Sequence, residues 1–210
     1  MPEVVLTGAA GRIEAQYSPR KDETAPIALI LHPHPRAGGH MNNPVAVQLF
    51  HLFMKRGFNV LRFNFRGVGR SAGVWDEGRG ECDDFRAAVD FMAAQYPGTE
   101  IWAAGFSFGS YVALTEGARD DRICTLIGIA PPVNRYDFEA VKTSTKPKFV
   151  IVGEADELIP LKQVREFYAQ LADPKELVEI DRANHLFDGQ VGEVADALED
   201  LLADFSCRTQ

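Results

Sequence analysis

Short apolar runs alternate with amphipathic stretches along most of the chain. The runs at 27–31, 59–65, 100–106, 122–130, 148–152 and 177–180 are rich in Val, Ile, Leu, Phe and Ala, the pattern of strands buried on both faces. Between them, apolar residues recur at helical spacing over 43–56, 81–95, 108–118, 161–171 and 191–205. Val47, Phe50 and Met54 share one predicted inward face in the first of these segments, and Phe85, Ala88, Val89 and Met92 do so in the second. Gly57 and Pro97-Gly98 supply helix stops. Ahead of the first run, 4–7 and 12–18 read as two strands around a turn with Gly8 and Gly11, an antiparallel start to the sheet. This alternation predicts an α/β fold: a mostly parallel twisted sheet, helices on both faces, and antiparallel N-terminal strands. The patternless connections, 22–26 and 134–147, are too short for linkers, so 1–210 reads as a single domain.

Composition narrows the class of partner. Thirty acidic residues against 22 basic ones give a net charge of −8 with His neutral, which argues against nucleic acid or an anionic membrane. No apolar run approaches the roughly 20 residues of a spanning helix, and the first residues lack a basic stretch followed by an apolar one, so no secretory signal is expected. Cys82, Cys124 and Cys207 are odd in number and form no CxxC pair, which fits a reducing compartment. The expectation is a cytoplasmic protein acting on a small molecule without a cofactor, with its oligomeric state left open.

Candidate chemistry begins at Gly105-Phe106-Ser107-Phe108-Gly109, a GxSxG sequence where a predicted strand becomes a helix. A turn that tight brings side chains two before and two after the serine into neighbouring backbone, hence the glycines, and leaves Ser107 projecting. The plain alternative is a serine that only caps a helix. A serine nucleophile needs a histidine base and an acid to orient it. Of the five histidines, only His185 follows Ser107, just past the last predicted strand. Asp156 lies between them at a strand end, with Glu154 and Glu157 as rivals. Ser107, Asp156 and His185 therefore stand as the catalytic candidates.

These motifs resemble the α/β-hydrolase family over nearly the whole chain from residue 27. Gly105 to Gly109 resembles its nucleophile elbow, Gly153 to Pro160 its GxxDxxxP acid loop, Ala183-Asn184-His185 its histidine loop, and Asn64 to Ser71 its DxRGxGxS segment with Asn in place of Asp. Leu31-His32-Pro33-His34-Pro35, followed by Gly38-Gly39, resembles a small bacterial subgroup and stands where the common HGxxG oxyanion loop does. Pro33 and Pro35 have no N–H to donate. The resemblance therefore assigns the oxyanion donors to the backbone N–H groups of His34 and Phe108. It further implies a cap-less serine esterase acting on short acyl esters, with thioester or small-amide cleavage as an alternative. A non-catalytic module that kept the fold is the reading of another class. Expected cleft residues are Arg36, Trp75, Phe106, Tyr111, Tyr136, Leu158 and Phe187.

Three further patterns compete for attention. Arg36, Arg66 and Arg70 fall on loops near one edge, which suits an anionic substrate or simply local ion pairs. His32, His34 and His40 read alternatively as metal ligands, though rigid prolines between them suit a shaped loop better, so no metal is expected. Gly67 to Ala72 fits the loose GxGxxA dinucleotide pattern, but Gly73, Gly78 and Gly80 postpone the helix which that pattern requires.

Overall fold

The computed structural model describes residues 3–22 and 24–207. Residues 1–2, Glu23 and 208–210, parts of the expected 1–210 domain and of the 22–26 connection, lie outside the described residues. Eight strands form one sheet in the order β1-β2-β4-β3-β5-β6-β7-β8. They are β1 (Glu3–Gly8), β2 (Gly11–Ser18), β3 (Ile27–Leu31), β4 (Asn59–Phe63), β5 (Ile101–Phe106), β6 (Ile123–Ile129), β7 (Lys148–Gly153) and β8 (Lys175–Ile180). β1 pairs antiparallel with β2 and β2 with β4, and every later pairing is parallel.

The helices are α1 (Pro44–Lys55), α2 (Arg79–Gln95), α3 (Phe108–Arg119), α4 (Glu139–Lys142), α5 (Leu161–Gln170) and α6 (Val191–Leu201). Alternation along β3 shows why two layers are needed. Ile27, Leu29 and Leu31 join the core built with α2 and α3, while Ala28 and Ile30 join the one built with α1 and α6. Because both faces are covered, the central strands are apolar throughout, which is what made them readable in the sequence.

Several boundaries differ from the sequence pattern for local reasons. The strand predicted to reach 65 ends at Phe63, because the Phe65 N–H donates to His32 Nε2 (3.1 Å) rather than to a strand neighbour. α1 buries Leu49 and Phe53 fully while Val47 and Met54 are only half-buried: wedged between the sheet and α6, it covers a different arc from the one predicted. The final helix stops at Leu201, and Phe205 instead packs edge-on to Trp102 and Phe149. The 134–147 connection contains α4, seated on buried Phe138 and Val141. Nothing larger stands between β6 and β7, so no cap domain is inserted there. Among the described residues, no helix is long and apolar enough to cross a membrane.

Candidate active site

The site forms where β3, β5, β6 and β7 end and their loops meet that of β8. β5 passes into α3 through Ser107, whose φ of 51° is a left-handed value that a non-glycine residue adopts only at a cost. The flanking glycines allow that turn. A Cβ on Gly105 would stand 2.1 Å from the Gly109 oxygen, and one on Gly109 would stand 2.5 Å from the carbonyl oxygens of Leu31 and His32. Ser107 occupies the N-cap position of α3 but makes no side-chain cap hydrogen bond, so capping does not account for it. Its Oγ lies 3.0 Å from His185 Nε2 instead.

His185 sits in the loop after β8, and its Nδ1 lies 2.7 Å from Asp156 Oδ2. The other Asp156 oxygen accepts the N–H groups of Leu158 (2.9 Å) and Ile159 (2.8 Å), which fixes the carboxylate in its loop. Glu157 accepts only the His185 backbone N–H (3.2 Å), and Glu154 is exposed. Of the three rival carboxylates, Asp156 is therefore the one that meets the imidazole. The two loops are joined by the Ala155 N–H, which donates to the Ala183 oxygen (3.0 Å), and by Gly153, where a Cβ would stand 2.2 Å from that same oxygen.

The loop after β3 is shaped by its own histidines. His32 is fully buried, its Nδ1–H donating to the Pro33 oxygen (2.7 Å) while Nε2 accepts from Phe65, so the ring is neutral and burial drives its pKa down to about 3. His34 Nδ1 accepts the Arg36 N–H (3.1 Å) and His40 Nδ1 accepts the Asn42 N–H (3.2 Å). Burial, followed by the nearby charges of Arg36 and Arg135, lowers the His34 pKa as well. The three rings thus fold their own loop and do not converge as metal ligands. Among the described residues, the one grouping of three potential ligands is Glu100, Cys124 and Cys207, at the opposite edge of the sheet, where Cys207 Sγ also contacts Thr125 Oγ1 (2.8 Å).

In this same loop the N–H groups of Ala37 and Gly39 donate to the His34 oxygen, and that of Gly38 donates to Pro35. Arg36 is engaged and two prolines lack a donor, while the His34 N–H has no acceptor among the described residues. The same holds for Phe108 N–H at the start of α3. Gly39 permits this fold, since a Cβ there would stand 2.1 Å from the Pro33 oxygen.

Ser107 and His185 open into a cleft of about 610 Å³. Arg36, Trp75, Phe108, Tyr136 and Leu158 line it, and the His34 ring lies tilted against Trp75 with ring centroids 4.5 Å apart. Phe106, Tyr111 and Phe187 do not line it. Phe106 and Phe187 are fully buried, with Phe106 packed behind the His185 ring, and Tyr111 stacks on the far side of Tyr136 at 4.4 Å. The sequence also missed Arg135, Ile159 and Leu186 in the cleft. Each adjoins a residue the sequence had marked: Ile159 follows Leu158, Leu186 follows His185 and Arg135 precedes Tyr136.

Arg66 and Arg70 are not cleft residues either. Arg66 is buried against Asp84, with Nη2 2.9 Å from Oδ1 and its N–H 2.8 Å from Oδ2, and Arg70 pairs with Glu3 and Glu14. Asn64 explains its own departure from Asp. Its Oδ1 accepts the Met41 N–H (2.7 Å) while its Nδ2 donates to Glu14 Oε2 (2.9 Å), and a second carboxylate there would face Glu14.

Residues 27–139 match the family model described as serine aminopeptidase, S33. An uncharacterised protein of Rickettsia prowazekii is 36% identical over 96% of this chain and 89% of its own length. The crystal structure of a protein of unknown function from Agrobacterium tumefaciens, described as a putative α/β hydrolase, superposes with a TM-score of 0.92 at 42% identity, covering 96% of this chain and 95% of that one. A lidless α/β serine hydrolase from Xanthomonas campestris superposes with a TM-score of 0.88 at 34% identity, covering 96% and 93%.

Proposed function

Because this chain belongs to the α/β-hydrolase superfamily, we propose that it is a serine hydrolase that cleaves carboxylic esters of short acyl chains. The observation that carries this reading is the hydrogen-bonded series from Ser107 Oγ through His185 to Asp156. His185 takes the Ser107 proton as Oγ attacks the ester carbonyl, and the N–H groups of His34 and Phe108 receive the developing oxyanion. The imidazolium then protonates the leaving alcohol. Water, deprotonated by the same imidazole, releases the acid and restores Ser107. Asp156 holds the ring in the tautomer this sequence requires and stabilises its charged form.

An aminopeptidase must meet the ammonium of its substrate, a task for carboxylates. The residues lining this cleft include Arg36 and Arg135 and neither Asp nor Glu, which favours esters over peptides with a free amino terminus. Thioesters share the same attack and are the second class to assay. The decisive experiment is intact-mass analysis after treatment with a fluorophosphonate. One adduct on the native protein and none on Ser107→Ala is the expected result, followed by turnover of short phenyl esters. Equal labelling of both proteins, or no labelling, refutes the assignment.

A further inference from the structure

In a chain of net charge −8, a cation without a partner is unusual, and most arginines here are engaged. Arg66 is held by Asp84, Arg70 by Glu3 and Glu14, and Arg122 by Asp90 and Asp120. The guanidinium groups of Arg36 and Arg135 have no acceptor among the described residues, and both line the cleft that holds Ser107. The sheet order β3-β5-β6 explains how they come to face it. Ser107 follows β5, Arg36 lies on the loop after β3, and Arg135 on the connection after β6, so the two cations stand on either side of the nucleophile.

Each backbone position is fixed. The Arg36 N–H donates to His34 Nδ1 and that of Arg135 to the Pro132 oxygen (3.0 Å), while neighbouring Asn134 Nδ2 donates to the Leu158 oxygen (2.9 Å) in the acid loop. Both charges are felt at His34, whose pKa they lower along with burial. The cleft is thus a locally positive trough in an acidic protein, a geometry that draws in anions.

Resting on the hydrolase reading above, we infer that the preferred substrates are esters whose acyl chain ends in an anion, a carboxylate or a phosphate, recognised by Arg36 and Arg135. The acyl part stays on Ser107 through both half-reactions, so a group that holds it acts on each of them. Guanidinium groups suit either anion, offering paired donors to two oxygens.

The test compares kcat/KM for three phenyl esters of matched length: a hemiadipate, a 5-phosphonooxypentanoate, and the neutral methyl hemiadipate. The native protein is expected to favour one or both anionic esters by about tenfold or more, chiefly through KM. Arg36→Gln and Arg135→Gln each lower that ratio about fivefold, and Lys at either position restores part of it. Arg20→Gln, at the far edge of the sheet, leaves the ratio unchanged, and about 0.5 M salt reduces it in the native protein. The larger of the two anionic ratios identifies the tail.

A ratio near one with the neutral ester well hydrolysed overturns this inference and leaves the hydrolase reading standing. If no ester is cleaved and the fluorophosphonate does not react, the hydrolase reading fails, and calorimetry of adipate against hexanoate on the Ser107→Ala protein decides the anion site separately. Adipate binding weakened by Arg36→Gln supports it, and equal or absent binding of the two acids refutes it.

Discussion

Asp156 is the residue whose task is narrowest. One of its oxygens is spent on two backbone donors and the other faces His185 Nδ1. Asp156→Asn keeps the size but places an amide where an acceptor is needed, so the imidazole loses its tautomer. We expect kcat to fall by about 10⁴-fold with the fold intact by circular dichroism. Glu157→Gln, touching only the histidine's backbone N–H, should cost about fivefold or less. The reverse ranking in a kcat comparison would make Glu157 the orienting acid. These candidates were legible because the elbow, the acid loop and the histidine loop each carry a local motif. The GxxDxxxP spacing singles out Asp156 with Glu154 and Glu157 as rivals, and the structure adds that the loop's path aims the Asp156 carboxylate at the imidazole while Glu157 meets only the backbone N–H of His185.

The element that positions the most of the site without touching substrate chemistry is the β4–α2 connection. Arg66 is bound in it by Asp84 of α2, with side chains only 10% and 1% exposed, and Glu81 accepts the N–H groups of Asp76 (3.0 Å) and Gly78 (2.8 Å). The loop so held carries Trp75 into the cleft against His34. Asp84→Ala would strand a buried guanidinium, at a cost of about 3–5 kcal/mol in denaturant unfolding. A lower kcat/KM should accompany that loss as Trp75 loosens. An unchanged unfolding midpoint would show that the pair breaks even against its desolvation. In the sequence this segment resembled a hydrolase motif and imitated a dinucleotide loop. The imitation fails because α2 starts only at Arg79, which leaves the glycines without a helix N-terminus beside them.

Across the whole molecule, His32 couples stability to pH. It is buried and neutral, with a pKa driven to about 3 from an ordinary 6.5, so below about pH 6.5 the unfolded chain binds a proton that the native one refuses. Stability is therefore unaffected by this group at neutral pH and is lost as pH falls from about 6.5 towards 3. Urea midpoints measured from pH 7 to pH 4 should decline, and decline less steeply in His32→Gln, although that variant starts lower at pH 7 because its loop contacts are weakened. Parallel slopes would show that His32 is not the source. The alternation of apolar runs and helical faces by itself determined the layers, the near-continuous strands and the order in which Ser107, Asp156 and His185 arrive, because periodicity and turn chemistry are local properties. Only the tertiary structure decided that Phe106, Tyr111 and Phe187 back the cleft instead of lining it, that Arg66 and Arg70 are neutralised, and that Arg36 and Arg135 flank Ser107. Those outcomes depend on strand order and on which partners lie across the sheet. A residue's charge is written in the chain, whereas what meets that charge is set by segments far away in sequence.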